Sequence, residues 1–179
     1  MNTQFTNELE SAPVSSEPWN REIVNEWYNY GLSIGDDFFL KFMMHWIAFN
    51  WIYSKYEDSS KEYPREIDTI GCCVRENIDT FKKYDAFNSE EIQIFLEKAI
   101  VDGRTGKRYE KFCKQLSENK NEDERILALF KTLYKVRCNL FHGSKSIHNP
   151  RDIKLVKASS VILEGYLKVF LDEHKDMRG

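Results

Sequence analysis

Apolar residues recur every three or four positions along most of the chain, which is the period of a helix that buries one face. The strict alternation of apolar and polar residues that marks a half-buried strand does not occur over any length. The sequence therefore predicts an all-helical bundle of about five to six helices. The clearest series are Ile23, Trp27 and Tyr30; Ile67, Ile70, Val74, Ile78 and Phe81; and Ile153, Val156, Ser160, Leu163, Leu167 and Phe170.

One stretch, residues 37–53, is apolar on nearly every side. Its exceptions are Asp37, Lys41, His45 and Asn50. A helix of this kind must be covered nearly all round, so we expect it at the centre of the core, or shared between the core and a dimer interface. A membrane span is disfavoured, because the run is short and carries Asp, Lys and His at four-residue spacing.

Residues that commonly begin and end helices mark several element boundaries. Asn88 or Ser89 is expected to cap an amphipathic helix over the following residues. Gly143 is the expected stop of a long helix over 124–142. Asn149 should cap the last helix, with Pro150 at its first position.

The length of 179 residues suits one domain with a core of its own. Residues 1–18 lack the features of a secretory signal and are expected to form a disordered tail before a single domain at 19–179. Over 103–123 the regular spacing of apolar residues is lost and charged residues dominate, which predicts an exposed insertion with a short helix around 109–116. Its "RTGKR" does not match the P-loop motif of nucleotide-binding proteins, since Val101 and Arg108 stand where that motif needs glycine and Ser or Thr.

The composition adds limits on function. A formal net charge of −3 gives no overall attraction to a polyanion. The cysteines form no CxxC pair and no zinc-spaced ligand set, so reduced thiols in a cytoplasm are the simplest account. Neither a metal nor another cofactor is predicted. The cysteines are Cys72, Cys73, Cys113 and Cys138.

Arg137 lies among apolar residues of the predicted helix over 124–141. A guanidinium there is costly unless it is paired, hydrogen-bonded or turned toward a polar cleft, so we expect a partner or a bound anion. His142 lies about 140° further around the helix, so the two side chains of one chain should not face each other, although a second copy could bring them together. The apolar arc comprises Ile126, Leu129, Phe130, Leu133, Val136, Leu140 and Phe141.

Positive charge is concentrated in the same region. Residues 131–157 hold seven basic residues and one acid, a formal charge of +6 against −9 for the rest of the chain. Lys135 lies on the polar stripe that leads to His142, and Lys145 and Arg151 follow the turn, so these three are candidate substrate-binding residues. The basic residues are Lys131, Lys135, Arg137, Lys145, Arg151, Lys154 and Lys157.

Structural roles remain open for each of these residues. A basic residue near a helix C-terminus is stabilised by the macrodipole, and a terminal histidine often caps free carbonyls. His45 is expected as a core or interface residue, His148 as a solvated one, and Asn50 as a buried amide or a bridge to the Arg137 helix. The basic residues of the 103–123 insertion either hold substrate or form a solvated loop; they are Arg104, Lys107, Arg108, Lys111 and Lys114.

The segments "YKVRCNLFHGSK" and "NPRDIKLVKASSVILEGYL" resemble the HEPN superfamily (higher eukaryotes and prokaryotes nucleotide-binding), all-helical domains in which an arginine precedes a helix-ending histidine by four to six residues. The stretch "FMMHWIAFNWIYS" is similar to the aromatic early helix of that family. Together the similar segments fall within about residues 36–175.

The resemblance implies a homodimer in which the Arg and His of two protomers meet and cleave RNA without a metal. It assigns Arg137 and His142 as the catalytic pair. Asn139, one turn before His142, is a third candidate, since the family often has a polar residue beside the arginine and this chain has Cys138 there. RNA supplies its own 2′-OH nucleophile, so His142 would transfer protons and Arg137 would bind phosphate oxygens.

The same family leaves two kinds of function open. Some members are ribonucleases, including toxins and defence enzymes held by an antitoxin. Others have lost catalysis and bind a protein partner, such as a nucleotidyltransferase, or a nucleotide. We therefore expect either a cytoplasmic endoribonuclease or a catalytically silent HEPN module.

Overall fold

The computed structural model describes residues 20–56 and 64–175, and within them the chain is all-helical, as predicted. These residues contain no strand, and their only β-type pairing is an isolated bridge between Val101 and Arg108. The predicted tail at 1–18 lies outside the described residues. The α-helices are α1 (Arg21–Ser33), α2 (Phe38–Tyr53), α3 (Glu66–Glu76), α4 (Ile78–Phe81), α5 (Gln93–Glu97), α6 (Glu110–Glu118), α7 (Glu122–Phe141) and α8 (Pro150–Glu173).

Helix α2 lies at the centre of the bundle and packs against α1, α3 and α8. Its aromatic residues form a continuous stack, with Trp46 edge-on to Phe49 and Phe49 against Phe130 of α7. The predicted core position of this segment is therefore confirmed. Because neighbours within the same chain cover α2, its apolar sequence does not by itself require a second copy.

Three of the four polar residues in this segment have a local explanation. Asp37 caps the helix by accepting a hydrogen bond from the Leu40 amide at 3.0 Å. Lys41 pairs with Glu164 of α8 at 3.5 Å. His45 is fully buried and stacks on Tyr28 of α1, with ring centroids 5.4 Å apart. No described helix is long and apolar enough to cross a bilayer.

Helix α1 buries a different face from the one that its sequence pattern predicts. Val24, Tyr28 and Gly31 face the core, whereas Tyr30 is more than half exposed. The reason is the close approach of Gly31 to α2, where an added Cβ would lie 2.4 Å from the ring of His45. Because glycine has no side chain, α1 and α2 pack closely at Gly31. The residues of α1 that face the core are therefore shifted by one position from those predicted.

Helix α7 ends and helix α8 begins where the capping residues predict. Asn149 accepts hydrogen bonds from the amides of Arg151 (2.9 Å) and Asp152 (3.2 Å), and Pro150 is the first residue of α8. Gly143 follows α7 with a positive φ of 67°, the left-handed conformation that ends many helices. The turn over 142–149 therefore places the end of α7 beside the start of α8.

The segment 88–100 is less regular than the predicted amphipathic helix. Two short 3₁₀ turns, Ala86–Asn88 and Glu90–Ile92, precede the five-residue α5. The Ser89 hydroxyl donates to the Ala86 carbonyl (2.8 Å) instead of capping the next turn. The polar residues that suggested one cap instead stabilise separate turns.

The predicted charged insertion over 103–123 is ordered along part of its length. Its expected short helix is α6, which begins at Glu110 and packs against α7 with Leu116 fully buried. Residues 101–108, called the basic loop below, form a turn closed by the Val101–Arg108 bridge. This loop and the polar face of α6 carry much of the exposed charge of the insertion.

Candidate functional site

Arg137 is half-buried near the end of α7 and has the partner that the sequence requires. Its Nη1 lies 3.4 Å from Oε2 of Glu66, at the start of α3. The guanidinium carbon also lies 4.7 Å from the ring centroid of Phe141 and 5.9 Å from that of Trp46. Its Nε is buried without a hydrogen-bond partner among the described residues. The contact to Glu66 engages one of five guanidinium donors.

Glu66 connects three helices through its two carboxylate oxygens. The buried hydroxyl of Tyr53 in α2 donates to Oε1, while Arg137 of α7 approaches Oε2. Burial, followed by this contact with Glu66, raises the pKa of Tyr53 far above its ordinary value, so the phenol stays a donor. Glu66 was missed in the sequence because an acid in the first turn of a helix is ordinary.

His142 directly follows α7 and is exposed to solvent. Its backbone N–H donates to the Cys138 carbonyl at 3.0 Å, which continues the helical pattern to this residue. Helix α7 is regular up to Phe141, so a rotation of about 140° separates the Arg137 and His142 positions. The helix thus directs Arg137 toward α3 and places His142 on a different face.

Asn139 is buried, and its side-chain amide holds the basic loop. Its Nδ2 donates to the Val101 carbonyl at 2.7 Å, and its Oδ1 accepts from the Gly103 amide at 2.9 Å. Both ends of the amide are therefore occupied by backbone. In this arrangement Asn139 positions the loop beside the end of α7.

The basic loop is fixed internally by Asp102. One Asp102 oxygen accepts from the amides of Arg104 and Thr105, both at 3.0 Å, and the other accepts from the Tyr109 hydroxyl at 2.8 Å. The Tyr109 bond, then the Thr105 amide, lower the pKa of Asp102 to about 2. Gly106 adopts a positive φ of 69° at the tip. The loop has one defined conformation that exposes its basic side chains.

The three predicted substrate-binding residues have different surroundings. The Lys135 ammonium lies 4.7 Å from the centroid of the Tyr109 ring, at the base of the basic loop. Lys145 is mostly buried and pairs with Asp152 at 2.9 Å, so its charge is neutralised within the turn. Arg151 has a buried Nη2 without a hydrogen-bond partner among the described residues. Lys145 is thus paired with an acid, whereas Lys135 and Arg151 form no ion pair within the residues that the structure describes.

None of the remaining polar candidates has surroundings that indicate a catalytic role. Burial lowers the pKa of His45 to about 4, so its ring is neutral inside the core. His148 is exposed in the turn, as expected. Asn50 is half-buried, and no described hydrogen bond joins it to α7. Within the described residues no group of three or more His, Cys, Asp or Glu side chains could hold a metal ion.

Three exposed apolar side chains lie in and beside the turn that contains His142. Phe141, Ile147 and Ile153 are 51%, 62% and 37% exposed, and we call these three the turn patch. The turn between them is fixed by Asp152, whose second oxygen accepts from the Ser146 amide at 3.1 Å.

The exposure of the turn patch corrects two sequence-based expectations. Phe141 belonged to the predicted buried arc, and Ile153 to the predicted seam of α8. Both lie in the terminal turn of their helix, beyond the neighbours that form the core. Exposed apolar groups that cluster in this way commonly mark an interaction site.

Comparisons of the chain with protein-family models, with curated proteins and with solved structures find no match. The similarity of its Arg137–His142 segment to HEPN domains therefore remains an inference from the residues themselves. What the structure establishes is an all-helical bundle in which a half-buried arginine, an exposed histidine, a basic loop and an apolar patch share the end of α7.

Proposed function

We propose that this protein is a metal-independent endoribonuclease of HEPN type, with a composite site at the interface of a homodimer. The observation that carries the proposal is the exposed His142 within the turn patch, five residues after Arg137. In the single chain Arg137 is directed toward Glu66 of α3, while His142 lies about 140° further around the helix. A two-fold contact through the patch would place the His142 of one copy beside the Arg137 surface of the other.

The chemistry of RNA cleavage suits these two side chains. The 2′-oxygen of the ribose attacks the neighbouring phosphorus, the bond to the 5′-oxygen breaks, and a cyclic phosphate forms. A base must accept the 2′-OH proton and an acid must protonate the departing 5′-oxygen. Histidine is suited to proton transfer near neutral pH, so the His142 at each site would accept the 2′-OH proton, and water would protonate the departing 5′-oxygen. Arg137 would stabilise the negative charge on the phosphate with its remaining donors.

A second candidate is a catalytically silent HEPN module, and the Glu66–Arg137 pair favours it. In the single chain the guanidinium is already balanced by a carboxylate and enclosed by Phe141 and Trp46. In that case the turn patch would bind a protein partner, for which an antitoxin or a nucleotidyltransferase is our expectation from the resemblance.

The experiment that separates the two candidates is an RNA cleavage assay in EDTA. The purified chain is incubated with transfer RNA or structured RNA, and the products are examined for 2′,3′-cyclic phosphate ends. The ribonuclease proposal requires such products. A homodimer that leaves every RNA intact would contradict it and favour the silent module.

Replacing Glu66 with glutamine tests how the ion pair relates to catalysis. Glutamine keeps an oxygen for the Tyr53 hydroxyl but removes the charge that competes with phosphate for Arg137. We expect kcat/KM for RNA cleavage to stay equal or rise severalfold. Because both partners are partly exposed, the free energy of unfolding should fall by only about 0.5–1 kcal/mol. The value of kcat/KM is measured from initial rates, and the free energy of unfolding is measured by urea unfolding.

The matched control for that substitution is Glu164→Gln, which removes the carboxylate of another inter-helix pair, with Lys41. It should leave the cleavage rate unchanged. Loss of cleavage in Glu66→Gln, with the helices intact, would show that the carboxylate itself is needed and that Arg137 does not act on phosphate in the way we propose.

A further inference from the structure

We propose that the basic loop, residues 101–108, is a phosphate-binding element that holds the RNA strand beside His142. The inference rests on the proposed function, because it takes RNA as the substrate. It assigns RNA-binding roles to Arg104 and Lys107, which lie far from α7 in sequence.

The first support is the position of the loop against the end of α7. Asn139 bonds the loop backbone on both sides of Asp102, through Val101 and Gly103. Ser144 touches the same glycine so closely that a Cβ added to Gly103 would lie 2.0 Å from the Ser144 Cβ. His142 lies between Asn139 and Ser144 in the chain, so the loop is seated beside the exposed histidine.

The second support is charge. Arg104, Lys107 and Arg108 are exposed, and none forms an ion pair within the part of the chain that the structure describes. The only acid of the loop, Asp102, is occupied by the Arg104 and Thr105 amides and the Tyr109 hydroxyl. The loop therefore concentrates positive charge that no acid of the described residues pairs with, in a chain whose formal net charge is −3.

The third support is that hydrogen bonds fix the backbone of the loop. Asp102, the Gly106 amide bonded to the Asp102 carbonyl at 2.8 Å, and the Asn139 amide hold the loop backbone in one conformation. A preformed loop loses less conformational entropy when it binds than a flexible one does. Arg and Lys side chains on such a backbone contact phosphates without reading sequence and thereby fix the register of the strand.

The test compares two double variants with the same loss of charge. The first is Arg104→Gln with Lys107→Gln. The control is Lys120→Gln with Lys168→Gln, both exposed. Lys120 precedes α7, about 30 Å from His142, and Lys168 lies about 27 Å along α8 from its start. The probe is a single-stranded 2′-O-methyl RNA, which binds but lacks the nucleophile, and its Kd is measured by fluorescence anisotropy over a range of salt.

We expect the loop variant to bind the probe about tenfold more weakly than the wild-type chain. Two lost phosphate contacts should also reduce the slope of log Kd against log salt by about 1.4, since each contact with a single strand contributes about 0.7. The control variant should keep the wild-type slope. Circular dichroism should give the same helical content for all three proteins.

The outcomes separate this inference from the proposed function. If the loop variant binds like the control while the wild type cleaves RNA, the loop inference is overturned and the ribonuclease stands. If the loop variant alone loses binding and the wild type never cleaves, the loop holds RNA but the catalytic proposal fails. If the wild type neither binds the probe nor cleaves RNA, both are overturned.

Discussion

The His142→Ala variant should lose RNA cleavage by a factor of about 10²–10⁴, the usual contribution of general acid–base catalysis by one group. His142 is exposed after the end of α7, and its imidazole forms no hydrogen bond among the described residues. Its removal should therefore leave the fold unchanged. Arg137→Ala should cost about 10²–10³, the cost of removing one stabilising donor. Both are measured as kcat/KM on the same RNA.

The control for the histidine is His148→Ala, which removes an exposed imidazole from the same turn. That variant should cleave at the wild-type rate. Because Arg137 also contacts Glu66, Arg137→Ala removes an ion pair as well as the proposed phosphate contact. Arg137→Lys separates the two effects, since lysine keeps a cation at this position without the planar guanidinium. Full activity of His142→Ala would remove the histidine from the mechanism.

The Ile147→Asp variant should be monomeric and inactive. A charge at the centre of the turn patch would be buried without a partner in any dimer that forms there. Loss of a central apolar contact of about 2 kcal/mol or more corresponds to at least a 30-fold weaker dimer. Ile147 is mostly exposed in one chain, so the monomer itself should fold normally. Light scattering gives the mass, and the RNA assay gives the activity.

The matched control is Tyr30→Asp, which places the same charge on an exposed aromatic of α1. The Tyr30 ring lies edge-on to Trp27 of the same helix and does not belong to the turn patch. The control should remain dimeric and active. A wild-type chain that is monomeric at tens of micromolar would contradict the interface.

Local rules of the chain predicted much of this fold. Gly143, Asn149 and Pro150 act through their own local geometry, so the end of α7 and the start of α8 followed from sequence alone. The core position of α2 followed because so apolar a helix has few other stable places. The face of α1 could not be predicted, since it depends on the contact of Gly31 with His45, which is distant in sequence.

The candidate site was predictable only in part, for a related reason. The cost of a buried charge showed that Arg137 needs a partner, but no local pattern distinguishes Glu66 from other surface acids. Asn139 was assigned to chemistry because it lies near His142, whereas its two hydrogen bonds reach a loop more than thirty residues earlier. The exposure of Phe141 depends on where the bundle ends, and a helical projection does not contain that information.

The central claim is that Arg137 of one copy acts with His142 of the other, and mixing two inactive variants tests it directly. When Arg137→Ala and His142→Ala proteins are combined and allowed to exchange subunits, each mixed dimer holds one site with both residues intact and one with neither. The account predicts that activity returns, toward about a quarter of the wild-type level, because half of the dimers are mixed. Mixed dimers that form and remain inactive would contradict it.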